Sequence, residues 1–166
     1  MEDTCVRVAQ PGDLPRLTAI YNHYVRETAI TFDTEEVSVE QRRHWFDEHG
    51  ATGRHQLLVA EVGAAVVGYA STGTFRVKRA YETSVEMSIY LDPGFTGRGL
   101  GSALYAALFP RLEREDVHRA LAGVTLPNPA SIALHERFGF RQVARFSENG
   151  RKFDRYWDVV WLERGA

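Results

Sequence analysis

The chain has 166 residues, of which 44% are hydrophobic and 25% charged, and its formal net charge is −2. This length and composition predict one globular domain over residues 1–166, without the strongly basic character that attracts nucleic acid or acidic membranes. The single cysteine, Cys5, excludes an internal disulfide and a zinc site built from several cysteines.

The sequence pattern also argues against export, membrane insertion and metal binding. The acidic opening residues, Met1–Thr4, carry no apolar run and do not resemble a signal peptide. No stretch approaches the ~20 apolar residues that a membrane-spanning helix needs. The six histidines include no H-x-x-x-H pair, so no metal site is predicted. We therefore expect a cytoplasmic protein that binds neither membranes nor metals.

The first half of the chain predicts one strand, two helices and then three strands. A short strand over Cys5–Val8 precedes a helix over Asp13–Glu27, whose apolar residues fall three and four positions apart. Ser38 followed by Gln41 is a capping-box pattern that opens the second helix. The three strands are predicted over Gln56–Val62, Val66–Phe75 and Ser84–Leu91.

The third of these strands alternates between two faces. Its apolar face consists of Val85, Met87, Ile89 and Leu91, and its other face of Glu86, Ser88 and Tyr90. Asp92-Pro93-Gly94 then ends the strand.

The second half predicts a helix over Gly99–Glu115, kinked at Pro110, and a strand over Arg119–Thr125. A short helix over Ala130–Phe138 ends at Gly139. Strands over Arg141–Ser147 and Lys152–Trp161 flank Asn149-Gly150, a strong signal for a tight hairpin turn. This order of elements predicts an α/β fold with a mixed sheet and helices on both faces.

A glycine-rich loop between a strand and a helix carries the most specific signal. Gly97, Gly99 and Gly101 let the backbone turn tightly, and the free amides at the start of the helix favour a phosphate group. The loop lacks the Gly-Lys-Ser/Thr of a P-loop. It also lies in mid-chain, not after the first strand as in a dinucleotide fold. By itself it is either a phosphate site or a tight turn.

Residues around the loop add a family resemblance. Glu86 lies on the strand before the loop, and Asn128-Pro129-Ala130-Ser131 and the run from His135 to Phe140 follow it. This arrangement resembles the GNAT acetyltransferase superfamily over nearly the whole chain. The loop resembles the pyrophosphate motif of that family, with Thr96 where Arg or Gln is usual.

The resemblance narrows to the phosphinothricin and methionine sulfoximine N-acetyltransferases. It rests on residues 19–25, Thr31-Phe32, Phe75-Arg76, Ala80-Tyr81 with Val85-Glu86, and Trp157-Asp158-Val159. The resemblance implies a seven-stranded, mostly antiparallel sheet splayed in the middle. It also implies acetyl-CoA as co-substrate, the α-amine of a small amino-acid-like molecule as acceptor, and a homodimer.

The resemblance assigns two catalytic residues. Glu86 is expected to accept the amine proton, directly or through a water, and otherwise it is a solvated carboxylate. His135 occupies the position where many relatives place a tyrosine that protonates the leaving thiolate, and otherwise it is a histidine packed under the co-substrate.

The co-substrate is expected to contact the strand and the loop through the backbone, with a backbone amide at Tyr90 or nearby meeting the thioester oxygen. Asn128 either bonds to the pantetheine or caps the next helix. The full predicted set is Ile89, Tyr90, Leu91, Thr96, Gly97, Arg98, Gly99, Leu100, Gly101, Ser102 and Asn128.

The acceptor is expected to contact Phe32, Arg76, Tyr81 and Glu86. A guanidinium holds a carboxylate or phosphinate in a bidentate pair, which makes Arg76 the candidate for an anionic group. The alternatives are a solvated basic turn for Arg76 and a plain core position for Phe32.

Two further functions stay open on the sequence. The acceptor could instead be a protein N-terminus, a polyamine or an aminoglycoside, although the basic residues around Arg76 argue against a cationic acceptor. The domain could also be a non-catalytic acyl-CoA sensor, which the presence of Glu86 and His135 argues against.

Overall fold

The computed structural model describes residues 4–165, which form seven strands and four α-helices. The strands are β1 (Thr4–Val8), β2 (Leu57–Val62), β3 (Ala65–Thr74), β4 (Ser84–Leu91), β5 (Arg119–Thr125), β6 (Arg141–Lys152) and β7 (Arg155–Gly165). The helices are α1 (Leu14–Glu27), α2 (Val39–Asp47), α3 (Leu100–Leu112) and α4 (Pro129–Arg137). The predicted order of elements is confirmed, and the bounds agree to within three residues except in the last two strands.

All seven strands form one sheet in the order β1-β2-β3-β4-β5-β7-β6. Neighbouring strands are antiparallel, except that β4 and β5 are parallel. The β4–β5 pairing covers only residues 84–86 against 119–121, after which the two strands part. The mixed, mostly antiparallel sheet with a splay in its middle is therefore confirmed.

The alternation of β4 divides its side chains between the two faces of the sheet. Val85 and Met87 are buried in a core with α3, which contributes Leu104 and Tyr105. On the opposite face, Tyr90 packs with residues of α1, α2, β2 and β3. Helices therefore cover both faces, as predicted, because each face of β4 carries apolar surface that burial stabilises by roughly 25 cal/mol per Å².

Local signals set most element bounds. Ser38 and Gln41 form the predicted capping box at the start of α2, with bonds of 3.1 Å to the Gln41 amide and 2.7 Å to the Ser38 amide. α3 continues through Pro110 and ends two residues later at Leu112, short of the predicted Glu115. Within residues 4–165, no helix is long and apolar enough to cross a membrane.

The predicted hairpin turn at Asn149-Gly150 is wrong. The β6–β7 turn lies at Phe153 and Asp154, whose φ angles of 54° and 55° are those of a type I′ turn. β6 continues through Gly150 with a shift of register between Phe146 and Gly150. A β-carbon at Gly150 would lie 2.1 Å from the ring of Phe32, so this glycine provides space for an aromatic ring and does not form a turn.

Candidate active site

The splay between β4 and β5 opens a cavity of about 230 Å³. Residues 86–90 of β4 line one wall and residues 122–125 of β5 the other. Three further groups of the predicted site close it: Phe32 from the segment after α1, and Asn128 and His135 at the two ends of α4. Because β4 has no strand partner here, its backbone is available to a ligand on this side.

Glu86 lies at the point where the two strands part. Its half-buried side chain lines the splay cavity and also a second cavity of about 390 Å³, which Trp45, Ser71 and Ser88 help to form. Burial raises the pKa of Glu86, and the positive charge of Arg76 opposes that rise. A carboxyl group with a raised pKa between two cavities is suited to accept a proton near neutral pH.

The hydrogen bonds of the sheet decide which β4 amides face the cavity. The Asp92 amide donates to Val67 of β3 at 2.7 Å, and strand amides alternate in direction. The amide of Tyr90 therefore points to β3, whereas those of Ile89 and Leu91 point to the open side. Of the predicted backbone contacts, the amides of Ile89 and Leu91 are therefore open to a ligand, and the amide of Tyr90 is not.

The glycine loop connects β4 to α3. Gly97 and Gly99 have φ angles of 73° and 78°, which residues with a β-carbon rarely adopt. No backbone acceptor within residues 4–165 bonds to the amides of residues 97–102, so these donors converge at the helix start. A pyrophosphate group fits this arrangement because the helix dipole adds positive potential.

Side chains of the loop bond within the loop. The hydroxyl of Thr96 donates to Pro93 O at 3.3 Å, and Arg98 donates to Gly94 O at 3.1 Å. Gly101 packs closely under α4, since a β-carbon there would lie 3.0 Å from Leu134. Ser102 accepts a bond from Arg137 at 3.0 Å. Within the predicted segment from Thr96 to Ser102, residues 96–99 are exposed, whereas Leu100 and Gly101 are buried.

His135 is buried, with 3% of its surface exposed. Its Nδ1 lies 2.7 Å from Ser131 O and donates to it, because a carbonyl only accepts. Its Nε2 lies 2.9 Å from the Tyr105 hydroxyl, which donates in turn. Burial lowers the pKa of His135. These contacts favour the packing alternative, and the proton-donor role stays a prediction.

Asn128 serves as a helix cap and also lines the cavity. Its side-chain oxygen accepts from the Ser131 amide at 3.2 Å, which satisfies one free donor at the start of α4. The amide nitrogen of the same side chain is left for a ligand in the cavity. Both of the predicted roles are compatible with this position.

Arg76 and Tyr81 come together around Phe75 at the end of β3. The guanidinium of Arg76 lies 4.3 Å from the centre of the Phe75 ring, and the Tyr81 ring packs edge-on at 5.9 Å. Both side chains are exposed, and Arg76 lies close enough to Glu86 to affect the pKa of that carboxyl. The structure thus brings Arg76 and Tyr81 together around Phe75 and within electrostatic reach of Glu86, although neither side chain lines the cavities that Glu86 lines.

Phe32, the fourth predicted acceptor residue, is not a plain core residue, because 36% of its surface is exposed and it lines the splay cavity. The segment that contains Phe32 is held in place by Lys152, a buried lysine that donates to Thr31 O at 2.9 Å. Burial lowers the pKa of Lys152, which Asp33 partly offsets. Gly150 leaves the space for the Phe32 ring.

Sequence reasoning missed a second cluster beside the site. Arg42 of α2 is buried and stacks on Tyr21 and Trp45, at the edge of a cavity of about 310 Å³. The spacing of Arg42 and Trp45, one helical turn apart, was a visible signal. Within the described residues, no group of three or more His, Cys, Asp or Glu side chains is arranged to hold a metal ion.

Comparisons with known proteins agree with this geometry. Residues 6–161 match the acetyltransferase (GNAT) domain family. The chain is 53% identical over 161 residues to a phosphinothricin N-acetyltransferase of Streptomyces coelicolor, covering 96% of this chain and 94% of the relative. It is 34% identical over 158 residues to an L-methionine sulfoximine/L-methionine sulfone acetyltransferase of Salmonella typhimurium, covering 95% and 92%.

The fold is similar to that of a solved relative. An acetyltransferase from Salmonella typhimurium, determined with its cofactor acetyl-CoA, superposes with a TM-score of 0.94 at 33% identity. The superposition covers 98% of this chain and 94% of that chain. This chain belongs to the GNAT acetyltransferase family and is an N-acetyltransferase that uses acetyl-CoA as its acetyl donor.

Proposed function

We propose that this enzyme acetylates the α-amine of a small anionic amino acid of the phosphinothricin, methionine sulfoximine or methionine sulfone type. The observation that carries the proposal is Glu86, a half-buried carboxyl group that lines both the splay cavity and the neighbouring cavity, with the positive charge of Arg76 acting on it. The names of the relatives support the same substrate class.

The co-substrate supplies a thioester-activated acetyl group, and the residues of the splay hold it. The amides of the loop from Gly97 to Ser102 bind the pyrophosphate, and the open edge of β4 at Ile89 and Leu91 aligns the pantetheine arm. The Ile89 amide is placed to polarise the thioester carbonyl, which stabilises negative charge that develops on its oxygen.

Glu86 activates the acceptor. The α-ammonium group of an amino acid is protonated at neutral pH, so the amine must lose a proton to a base before it can attack, and a carboxylate with a raised pKa can accept that proton. The amine loses one proton to the Glu86 carboxylate, directly or through one water. His135 lines the same cavity, but both of its ring nitrogens bond within the chain, to Tyr105 and Ser131, so its role in protonating the leaving thiolate stays a prediction.

We infer direct transfer without an acetylated enzyme. The only cysteine, Cys5, is exposed on β1, at the edge of the sheet and three strands away from β4. A thiol at that position is not available to accept an acetyl group from the splay. Rapid quenching of the enzyme with radiolabelled acetyl-CoA alone should leave the protein unlabelled, and a covalently labelled chain would contradict direct transfer.

The cellular setting and assembly complete the proposal: a single-domain, cytoplasmic enzyme that acts as a homodimer. The exposed apolar residues of the β6–β7 hairpin, Val143, Phe146, Phe153 and Tyr156, support a self-association surface.

The experiment that tests the function is thiol release from acetyl-CoA with a panel of acceptors. The panel contains phosphinothricin, methionine sulfoximine, methionine sulfone, ordinary amino acids, spermidine and a short peptide. Saturable turnover on the first three is expected. Turnover confined to the peptide or to spermidine would contradict the substrate class and favour the alternative of a protein N-terminus or another amine.

A further inference from the structure

Arg42 is a buried cation without an anionic partner. Only 9% of its surface is exposed, and its Nη2 donates to the Tyr69 hydroxyl at 2.8 Å. Its Nε is buried and has no hydrogen-bond partner. No carboxylate of the described residues lies within 4.0 Å of its guanidinium group. An unpaired buried charge is costly, which indicates that something outside the chain completes this site.

Aromatic rings hold the guanidinium in a fixed orientation. The rings of Tyr21 and Trp45 lie 3.9 Å and 4.0 Å from the guanidinium carbon, and the Tyr69 ring lies at 5.7 Å. Stacking covers the faces of the guanidinium plane and leaves its edge, which carries the N–H donors, for a bidentate acceptor.

The cavity beside Arg42 adjoins the proposed active site. It has a volume of about 310 Å³ and shares Ser88 and Tyr90 with the splay cavity. It also shares Trp45, Ser71 and Ser88 with the cavity that contains Glu86. A molecule that places its amine at Glu86 can therefore extend past Ser88 to Arg42.

The polar groups of this cavity favour an oxyanion. Burial raises the pKa of Tyr21 to about 12 and that of Tyr69 well above its ordinary value, so both hydroxyls keep their protons. Asp33 is the carboxylate that lines this cavity; it is exposed at the rim and accepts the hydrogen of the Tyr21 hydroxyl. The guanidinium is therefore the main charge inside.

We propose that Arg42 binds the distal anionic group of the acceptor, such as a phosphinate, while Arg76 holds its α-carboxylate. This inference rests on the proposed function and names the residue that selects a doubly acidic substrate. In phosphinothricin the phosphinate lies two methylene groups beyond the α-carbon, and the α-carboxylate is attached to the carbon that carries the amine.

The assignment of the two arginines follows from their positions relative to Glu86. Gly73 and Thr74 at the end of β3 pair with Glu86 and Val85, so Arg76, two residues farther on, lies near Glu86, whereas Arg42 lines the adjoining cavity, whose lining does not include Glu86. The guanidinium nearer the base matches the carboxylate nearer the amine, and the farther guanidinium matches the distal group.

Phosphinothricin and methionine sulfone are a matched pair for the test, because they share the carbon chain and differ in the charge of the distal group. A charged hydrogen bond is worth more than a neutral one, so Arg42→Gln should raise KM for phosphinothricin about tenfold more than KM for methionine sulfone. Arg43→Gln, on the same helix with an exposed side chain, should leave both values unchanged.

Equal changes with both substrates, or none, would overturn the role of Arg42 while leaving the proposed function intact. If the wild-type enzyme acetylates neither acid, the proposed function fails and the inference fails with it. The melting temperature and the Kd for acetyl-CoA show whether the variant folds. If Arg42→Gln does not fold, Arg42→Lys keeps the positive charge but lacks the planar guanidinium group. It should still raise KM for phosphinothricin more than KM for methionine sulfone, by about threefold or more.

Discussion

At the scale of single residues, Glu86 combines a functional position with a cost in stability. Because burial raises its pKa, the folded protein favours the neutral carboxyl, and the ionised form at neutral pH destabilises the fold. This destabilisation is complete above the raised pKa, declines as the pH falls through it, and is gone below the ordinary pKa of a carboxyl group. A charged base in a half-buried position is destabilising, and such groups are typical of functional sites.

Glu86→Gln is therefore expected to lower kcat by about 10²–10⁴-fold, because the amine loses its general base. The variant should bind acetyl-CoA as the wild-type enzyme does and melt at the same or a higher temperature at pH 7. Steady-state kinetics, calorimetric titration and thermal unfolding measure the three quantities. The wild-type profile of kcat/KM should fall on the acidic side through the pKa of Glu86, and an unchanged kcat in the variant would contradict the assignment.

For His135, burial also disfavours the charged form, but stability depends on pH in the opposite direction. A lowered pKa means that the folded state favours the neutral ring, so its contribution to stability is present above pH ~6.5 and is lost as the pH falls through the lowered pKa. The two bonds of the ring, to Ser131 and Tyr105, fix the same neutral tautomer.

We expect His135→Ala to reduce the free energy of unfolding by roughly 2–4 kcal/mol, because it removes both bonds and leaves a cavity. His135→Gln should lose less stability and reduce kcat/KM less than about tenfold, since a group that packs contributes little to proton transfer. Chemical denaturation and kinetics on both variants decide the matter. A loss of 100-fold or more in the stable glutamine variant would establish the proton-donor role.

At the scale of elements, two irregularities of the sheet build the site. The first is the early parting of β4 and β5, which leaves the backbone of Ile89 and Leu91 open. The second is the shift of register in β6, which places Gly150 under Phe32. Bulges of this kind bend a strand and occur beside active sites. The β6 irregularity thus sets one wall of the cavity that the β4 splay opens.

Gly150→Ala tests this connection. The added β-carbon would meet the Phe32 ring at 2.1 Å, so the ring must leave the cavity wall. We expect the variant to lose about 1–3 kcal/mol of stability and to raise KM for the acceptor without weakening acetyl-CoA binding. Gly12→Ala, where nothing lies within 4 Å, is the matched control. An unchanged KM would show that Phe32 does not contact the acceptor.

At the scale of the whole molecule, the exposed apolar side chains concentrate on the β6–β7 hairpin. Phe146, Phe153 and Tyr156 are each about half exposed, at 48%, 54% and 56%. The hairpin forms the far edge of the sheet, beyond β5, and an exposed apolar patch on a sheet edge favours association with another chain. This position is compatible with the proposed homodimer.

Light scattering after size exclusion should give twice the chain mass of 18.8 kDa for the wild-type protein. Phe146→Glu places a charge in the patch and should shift the mass toward one chain, or weaken the dimer at least about tenfold. Val77→Glu, at a residue that is 96% exposed away from the hairpin, is the control and should not change the mass. A wild-type mass of one chain would contradict the homodimer.

The sequence determined the family, the order of the elements and the identity of most candidate site residues, because these depend on local patterns and motif spacing. The capping box at Ser38, the alternation of β4 and the glycine loop each lie within a few residues of chain. Glu86 was found because it stands on a strand that the pattern places correctly, at a fixed distance from the loop.

Only the tertiary structure decided the features that join distant segments. Lys152 bonds to Thr31 across 121 positions, and the ring that lies on Gly150 belongs to Phe32. For this reason Asn149-Gly150, a turn signal by local preference, became part of a strand. The burial of Arg42 among aromatic rings and the two hydrogen bonds of His135 also depend on contacts between distant segments. Packing between elements decides which polar groups lose contact with water, and local sequence patterns do not show this packing.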